Sequence, residues 1–587
     1  MRYCSLVIII VLIFLISSPV VTAQADLESP TDWEQLRQGI TYKKFHITEP
    51  RDMDIFVAAM DRSNLSVTVD SGIAQGRLSG GLETVRSQAA RYDQTINYWD
   101  ATWGNRSEVV VAINGYYFNQ SVEPIGVPLS GQIHSGWYAK QFTNIIGDAG
   151  FSWTMDRQAF IGDCVYHPAA QNDVLFVNAK YDPNFQAVNV ERSDESMILY
   201  TPQYDVNTRT ISTTEDPVLE IAIEISRPSL LISDPGYVRG RIMQIRDKKG
   251  STPLRFDYVV LSLWGDVRLA AKSRIDGNLI NIGDEVHITQ EIKDCDGSTT
   301  KPWVKTYAGM GGDYHFLNDG TIREYEEIPD AVVGNSRTAI VYNDEYIFFI
   351  VTDKCNPGVS EGIKISELGT FAKNYLGAKW GVALDSGGSS TMSVLGNVVN
   401  NTSLNNTTCS PPGSSTDSIE SYASEIGHLY EDSWDNADRN PADEGIFSGN
   451  HILEKDKYHS NTYQVDASFE PYVANSMMIV AVKPLEISST FTESQQVYAK
   501  SVTNLYLGPG TNYGILGSTN IGSEGEVAFH GNDMNGVLAK GAYWWFVDFG
   551  EITGWVREDT LQGGTLPGFT PTDFLYFPSI HKGQPVN

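Results

Sequence analysis

Apolar residues in this chain fall mostly into short alternating or β-branched runs separated by Gly, Asn, Asp and Ser, the pattern of strands joined by turns. Such runs occupy 40–47, 55–59 and 65–69. Residues 82–100 instead place Leu82, Val85, Ala89 and Ala90 at helical spacing, which predicts a helix. Glu108 to Asn114 is a continuous apolar run stopped by Gly115, as expected of a strand buried on both faces. From 150 to 300 the chain reads as short β runs, among them 219–225, 260–263 and 286–288. Residues 338–342 and 346–352 flank Asn343-Asp344-Glu345, a hairpin signal. A second helix is predicted over 362–376, with Ile365, Leu368, Phe371, Ala372 and Leu376 on one face. A short buried strand, 382–384, then runs into Asp385-Ser386-Gly387-Gly388-Ser389-Ser390. Residues 397–418 are rich in Asn, Ser, Thr, Pro and Gly and read as a loop; 430–465 are polar and acidic, an irregular insertion. Strands resume near 495 and a tail closes the chain. There is no strict internal repeat.

The N-terminus adds a compartment. Arg2 precedes an unbroken apolar run from Leu6 to Ile16, too short for the ~20 residues that span a bilayer. Small residues follow, and Val21-Thr22-Ala23 and Ala23-Gln24-Ala25 both fit a cleavage site, so residues 1–25 read as a secretory signal and no membrane span remains after cleavage. Export permits disulfides. Removing Cys4 with the signal leaves Cys164, Cys295, Cys355 and Cys409, among which three pairings are open. None is spaced as a zinc site, and no metal or other cofactor is expected. The 587 residues carry 42 basic and 72 acidic side chains, a net charge of −30, which argues against nucleic acid or an anionic membrane as partner. The absence of a G-x-S-x-G elbow and of an H-E-x-x-H helix leaves a protease reading without support.

Candidate chemistry lies where buried strands stop. Four segments share that pattern: Ala112 to Asn119, Gly309 to Asp313 with Leu317 to Gly320, Ser336 to Ile340, and Ala383 to Met392. In the last, a carboxylate at the end of a buried strand is costly unless it is paired or used. Behind Asp385, Gly387, Gly388, Ser389, Ser390 and Thr391 offer backbone N–H groups and hydroxyls to a phosphate or sugar oxygen. Arg337 offers a planar fork for a phosphate. Glu361 and Asp353 are candidates for a second carboxylate. Asn114 and Asn119 are placed to bond sugar hydroxyls, Gly115, Gly311 and Gly312 to let a substrate approach the backbone, and Tyr116 and Phe118 to form a sugar platform. His134 and His315 read as structural.

Taken in order, Ala112–Phe118, Gly311–Gly320, Arg337–Ile340 and Leu384–Met392 resemble the motifs of the phosphodiester glycosidase family. The helix before the last motif, Ser366–Leu376 followed by Gly377-Ala378, and Val473-Ala474-Asn475 are similar too, so the resemblance covers about residues 40–485, with 217–300 as a β-rich part. Three positions depart from the family pattern: Ser386 stands for the first Gly of a Gly-Gly-Gly, Asn335-Ser336 for His-Pro, and Asp313 for a Pro. A side chain at 386 conflicts with any need for positive φ there. The resemblance implies hydrolysis of the glycosidic bond of a sugar-1-phosphodiester, for example an N-acetylglucosamine-1-phospho linkage, releasing free sugar and a phosphomonoester. Asp385 would face the anomeric carbon, with Arg337 and the 387–391 turn on the phosphate.

Residues 495–562 read as a small β-barrel. Leu505 to Tyr513, with Gly508-Pro509-Gly510-Thr511, and Gly554-Trp555-Val556 resemble a bacterial SH3-like domain, with Tyr506 and Leu507 in place of the usual Arg and Ser. That resemblance implies a bacterial source and contact with peptidoglycan or another envelope polymer through exposed aromatics. The expected architecture is therefore an α+β catalytic domain, a mixed sheet with helices and β-rich insertions, followed by an all-β SH3-like barrel at 495–562 and a tail at 563–587. The expected location is extracellular or at the cell envelope. A non-catalytic envelope- or polysaccharide-binding protein is the alternative to a hydrolase.

Overall fold

The structure is a computed structural model that describes residues 33–565, apart from 79–80, 100–101, 120–125, 143–148, 169–171, 191–196, 209–217, 226–235, 248–249, 296–300, 355–359 and 401–470. The signal segment, Cys355, Cys409, most of the 397–418 loop, the 430–465 insertion and the tail from 566 lie outside the described residues.

Strands dominate the chain, and only three α-helices occur among the described residues, which overturns the α+β expectation. The predicted helix over 82–100 shows why. Thr84 caps a helix that covers only Val85–Tyr92, its Oγ1 accepting from the Ser87 N–H at 3.2 Å. The helix stops at Asp93, whose carboxylate instead takes the Val109 N–H at 2.7 Å. The aromatic residues beyond it turn into a two-stranded hairpin, Asn97–Trp99 with Thr102–Gly104, in which the rings of Tyr98 and Trp103 sit opposite one another at 5.5 Å. The helix expected at 362–376 forms as Ile365–Leu376, started by Glu367 on the Lys364 N–H and ended at the left-handed Gly377. A third helix, Gly265–Asp276, lies inside the stretch read as β.

Three sheets enclose the core of the motif-bearing region. In the first, Arg337–Tyr342 lies between Tyr346–Thr352 and Trp380–Ala383, all antiparallel. In the second, Ser107–Asn114 lies between Met392–Val394 and Asn475–Val482. In the third, Thr306–Gly312 lies between Gln132–His134 and Ala149–Thr154. Val111, Ile113, Phe151, Met310, Ile340 and Val382 from these sheets pack into one buried cluster. The helix Ile365–Leu376 covers the outer face of the first sheet with Leu368, Phe371 and Leu376.

A seven-stranded sheet from 173 to 289 forms the β-rich part, including the expected strand Leu219–Ile225. A disulfide joins Cys164 to Cys295 across 131 residues of chain. The C-terminal strands, from Gln496–Ala499 to Leu561–Gly563, form their own sheet with a small core that includes Val497, Val527, Trp545 and Val556. Met534, Val537, Trp544 and Trp555 instead belong to the same buried cluster as Leu219, Ile221 and Ile223 of the β-rich sheet. The SH3-like barrel expected at 495–562 is not shown, and part of the core of these strands is shared with the β-rich sheet. No helix among the described residues is long and apolar enough to cross a membrane.

Candidate active site at three strand ends

Register brings the motifs together. Ala339 pairs with Ala383, so the start of Arg337–Tyr342 lies beside the end of Trp380–Ala383. The Asp313 N–H bonds the Ala383 carbonyl at 2.8 Å, and the Asp385 N–H bonds the Gly115 carbonyl at 3.0 Å. Three strand ends, at Asn114, Gly312 and Ala383, thus converge on one point.

Asn114 is the brace. Its Oδ1 accepts from the Thr338 hydroxyl at 2.6 Å and the Thr391 N–H at 3.1 Å, while its Nδ2 donates to the Asp385 carbonyl at 2.9 Å. Its amide is spent inside the protein rather than offered to a ligand. Gly115, Gly311 and Gly312 are likewise packing positions. A Cβ on Gly312 would lie 2.3 Å from Val382 Cγ2, one on Gly311 2.5 Å from Ser130 Cβ, and one on Gly115 2.3 Å from Asn475 Oδ1.

The turn after Asp385 resolves the departure at Ser386. That residue has φ −125°, an ordinary extended conformation, and the positive φ falls on Gly387, at 73°. The Gly387 N–H is taken by the Ser336 carbonyl, the Ser390 N–H by the Gly387 carbonyl, and the Thr391 N–H by Asn114, while the Ser386 N–H serves the Asp385 carboxyl. The Ser389 N–H falls to the Ser386 carbonyl within the 3-10 turn Gly387–Ser389, which leaves the Gly388 N–H at the head of the turn.

Two carboxyl groups stand out electrostatically. Burial pushes Asp385 up to about 7, against hydrogen bonds from Ser389 and the Ser386 N–H that favour its charge, and Asp313 raises it further. Burial pushes Asp313 up to about 6, helped by Asp330 and opposed by Arg337 and the Tyr117 hydroxyl. That hydroxyl lies 3.5 Å from both Asp313 Oδ2 and Ser386 Oγ. Tyr116 and Phe118, expected to form the platform, are buried in the core, whereas the half-buried Tyr117 between them faces the site. Asn119 lies beyond this group, its N–H on the Val127 carbonyl.

Arg337 is buried, and all five of its N–H donors have protein partners. Nη1 bonds the Asp330 carboxylate and, at 3.3 Å, Ser386 Oγ; Nη2 bonds the Asp330 and Val333 carbonyls; Nε bonds the Ile363 carbonyl. Only the Ser386 contact faces a ligand, so the geometry makes Arg337 a positioning residue. Lys354, just past the hairpin strand paired with Arg337, adds a second cation, its pKa lowered by burial and by Arg337 and supported by Asp330.

The other two carboxylate candidates are placed elsewhere. Glu361 is exposed, and its N–H bonds the Asp52 carbonyl at 2.8 Å. Asp353 is buried and accepts from Asn400 Nδ2 at 3.2 Å, and Asn400 in turn donates to the Ser390 carbonyl. It thereby supports the turn without joining Asp385. His315 bonds Asp163 and His134 bonds the Ser71 carbonyl, both within the framework. Among the described residues, Glu224, Asp257 and His530 form a group close enough to share a cation. It is built from other elements, and in it His530 Nε2 lies 3.0 Å from Asp257 Oδ2.

Asp313, Asp330, Lys354 and Tyr117 did not stand out among the sequence candidates. Asp313 carried the same signal as Asp385, a carboxylate directly after a buried strand, here one ending in two glycines. Tyr117 was missed because Tyr116 and Phe118 were read as the platform; with those two buried in the core, alternation turns Tyr117 to the site.

Residues 267–411 match the phosphodiester glycosidase family. The matched stretch contains Asp313, Asp330, Arg337, Lys354 and Asp385, but not Asn114 or Tyr117. No curated protein matches the chain. Among solved structures, the chain is similar to a hypothetical protein from Synechocystis, with 12% identity and a TM-score of 0.43, covering 76% of this chain and 62% of that one. The chain thus spans less than two thirds of that protein's length. It is also similar to the catalytic domain of zebrafish N-acetylglucosamine-1-phosphodiester alpha-N-acetylglucosaminidase auto-inhibited by its pro-peptide, with 12% identity and a TM-score of 0.29, covering 62% of this chain and 75% of that one.

Proposed function

We propose that this protein is an exported hydrolase that cleaves the glycosidic bond of sugar-1-phosphodiesters, N-acetylglucosamine-1-phospho linkages among them. The observation that carries the reading is the pair Asp385 and Asp313. Two carboxyl groups end adjacent buried strands inside the family-matched stretch, and both are held above the ordinary carboxylate range. Buried charge without a framework partner is expensive, and sites of chemistry are where it is retained.

The roles follow from the environments. The leaving group is a phosphomonoester, which departs without strong protonation, so the reaction needs a negative group at the anomeric carbon more than a proton donor. Asp385, with the Ser389 hydroxyl and the Ser386 N–H holding its carboxylate, faces that carbon. Asp313 ionises first, and its charge delays ionisation of Asp385. Lys354 and the Gly388 N–H take the phosphate, with Arg337 fixing Ser386 and Asp330 around it. Asn114 and Gly387 keep the three strand ends in place. The N-terminal signal directs the protein out of the cytoplasm and is removed in the mature chain.

The test is release of free sugar from UDP-N-acetylglucosamine and a panel of sugar-1-phosphodiesters by the mature protein, alongside Asp385→Asn. Turnover that vanishes in the variant while substrate still binds supports the reading. Binding without turnover in the wild type would instead support a non-catalytic sugar-phosphate-binding protein.

A further inference from the structure

Three side chains with metal-ligating atoms meet between the β-rich sheet and the C-terminal strands. Glu224 comes from the strand Leu219–Ile225, Asp257 from the turn before Tyr258–Leu263, and His530 from the loop after Glu524–Val527. Their ligand atoms, one from each, all lie within 4.8 Å of one another. Asp385, Asp313, Arg337 and Lys354 are not part of this group.

The framework holds these donors in place. The Ile225 N–H donates to the Asp257 carbonyl at 3.1 Å, which sets Asp257 beside Glu224. The His530 ring stacks on Phe256 at 5.6 Å, with Phe546 at 5.1 Å and Trp555 at 5.0 Å around it. Its Nε2 lies 3.0 Å from Asp257 Oδ2. Asp257 and His530 are only 2% and 3% exposed, whereas Glu224 is half-buried and opens the group to solvent.

Charge is what the group leaves unbalanced, with two carboxylates facing one imidazole. Burial pushes the Glu224 carboxyl above its ordinary value and Asp257 pushes it further; no hydrogen bond opposes them, only the charges of His530, Arg241 and Arg255. Asp257 spends Oδ2 on His530, and no described residue donates to its Oδ1. Buried carboxylate oxygens without donors are costly, and a divalent cation would satisfy both side chains at once. The Asn532 N–H approaches His530 Nδ1 at 3.4 Å, which puts the ring proton on Nε2, toward Asp257. A cation at Nε2 moves that proton to Nδ1 and gives up the Asn532 contact, which is at the limit of a hydrogen bond. One imidazole nitrogen with two carboxylate oxygens suits Zn²⁺, with water in the fourth position. Ca²⁺ takes ~6–8 oxygen ligands and Mg²⁺ keeps several of its waters, so this donor set serves both poorly.

We propose that Glu224, Asp257 and His530 bind one Zn²⁺-type divalent cation that clasps the C-terminal strands to the β-rich sheet. The site is separate from the proposed hydrolytic centre and does not rest on that reading.

Isothermal titration of the chelator-stripped, full-length mature protein with ZnCl₂ tests it, with CaCl₂ and MgCl₂ alongside. One Zn²⁺ should bind with a micromolar Kd, and Zn²⁺ at ~100-fold above that Kd should raise the melting temperature by about 2–4 °C. His530→Gln and Glu224→Gln should each weaken Zn²⁺ binding about tenfold or more, tenfold being about 1.4 kcal/mol. Glu224→Gln keeps the test sound if His530→Gln fails to fold. It removes a half-buried charge that no hydrogen bond holds, so its melting temperature without Zn²⁺ should not fall. Absence of Zn²⁺ binding at submillimolar concentration would overturn the proposal and leave His530 and Asp257 an ion pair only. Zn²⁺ binding that Glu224→Gln leaves unchanged would overturn it as well, as would tighter binding of Ca²⁺ or Mg²⁺ than of Zn²⁺.

Discussion

The strand-end region and the junction of residues 72–103, 202–206 and 512–514 handle buried polarity in opposite ways. At the strand ends, the Asn114 amide and all five Arg337 donors are used within the protein. What is held out of its usual state there is charge, on Asp385 and Asp313. At the junction the charges are paired and what is left over is neutral, at Gln203, Asn512 and Trp103. A scaffold that fixes its amides and frustrates its carboxylates suits a reaction. A junction that pairs its charges and buries its leftover amides holds parts of the chain together.

The sharpest way to break that contrast is at Asp385. Asp385→Asn should lower kcat on the order of 10³-fold. Burial raises this carboxyl from 3.8 to about 7, so the folded state holds its proton longer than the unfolded chain does. The stability this confers is present below the unfolded value and is lost as pH rises through about 7. The same variant should therefore raise the melting temperature at pH 8 and leave it little changed at pH 4. A loss of activity accompanied by a loss of stability at pH 8 would make Asp385 a structural residue.

The shared core tests whether the β-rich and C-terminal parts are thermodynamically separate. Trp555 packs against Phe256 across the junction, so Trp555→Ala should cost about 3–5 kcal/mol. Calorimetry should show the two parts melting together in the wild type. Two well-separated transitions there would restore an independent C-terminal module.

Within the strand-end region, Asn114→Ala strips the Thr338 hydroxyl, the Thr391 N–H and the Asp385 carbonyl of a partner. It should destabilise the fold by about 2–3 kcal/mol in denaturant titration, with turnover falling as the strand ends loosen. Arg337→Lys should weaken turnover less than Asp385→Asn, mainly through kcat, because the residue positions Ser386 and Asp330.

Much of this was legible in the chain. The strands at Ile40–Ile47 and Leu219–Ile225 and the hairpin of Arg337–Tyr342 with Tyr346–Thr352 follow from alternation and turn residues. The helix Ile365–Leu376 follows from its periodicity. The convergence of Asp385 with the other strand ends follows from their shared pattern of a buried run broken by Gly or Asp. What was not legible depends on register and docking. Periodicity over 82–100 could not reveal that Tyr98 and Trp103 would pair across a hairpin. No local feature distinguishes an Arg337 open to a ligand from one whose donors are filled by Asp330, Val333 and Ile363. Nor does the pattern over 495–562 show that Trp544 and Trp555 complete a neighbouring core.

The coupling of Asp313 to Asp385 is the centre of the account, and the pH dependence of kcat/KM in the wild type and in Asp313→Asn measures it directly. If the ionised Asp385 acts, the wild-type rate rises with pH through about 7. Removing the Asp313 charge lowers the Asp385 pKa, so the rising limb should move to lower pH in the variant. A limb that stays where it is would contradict the pairing of these two carboxyl groups.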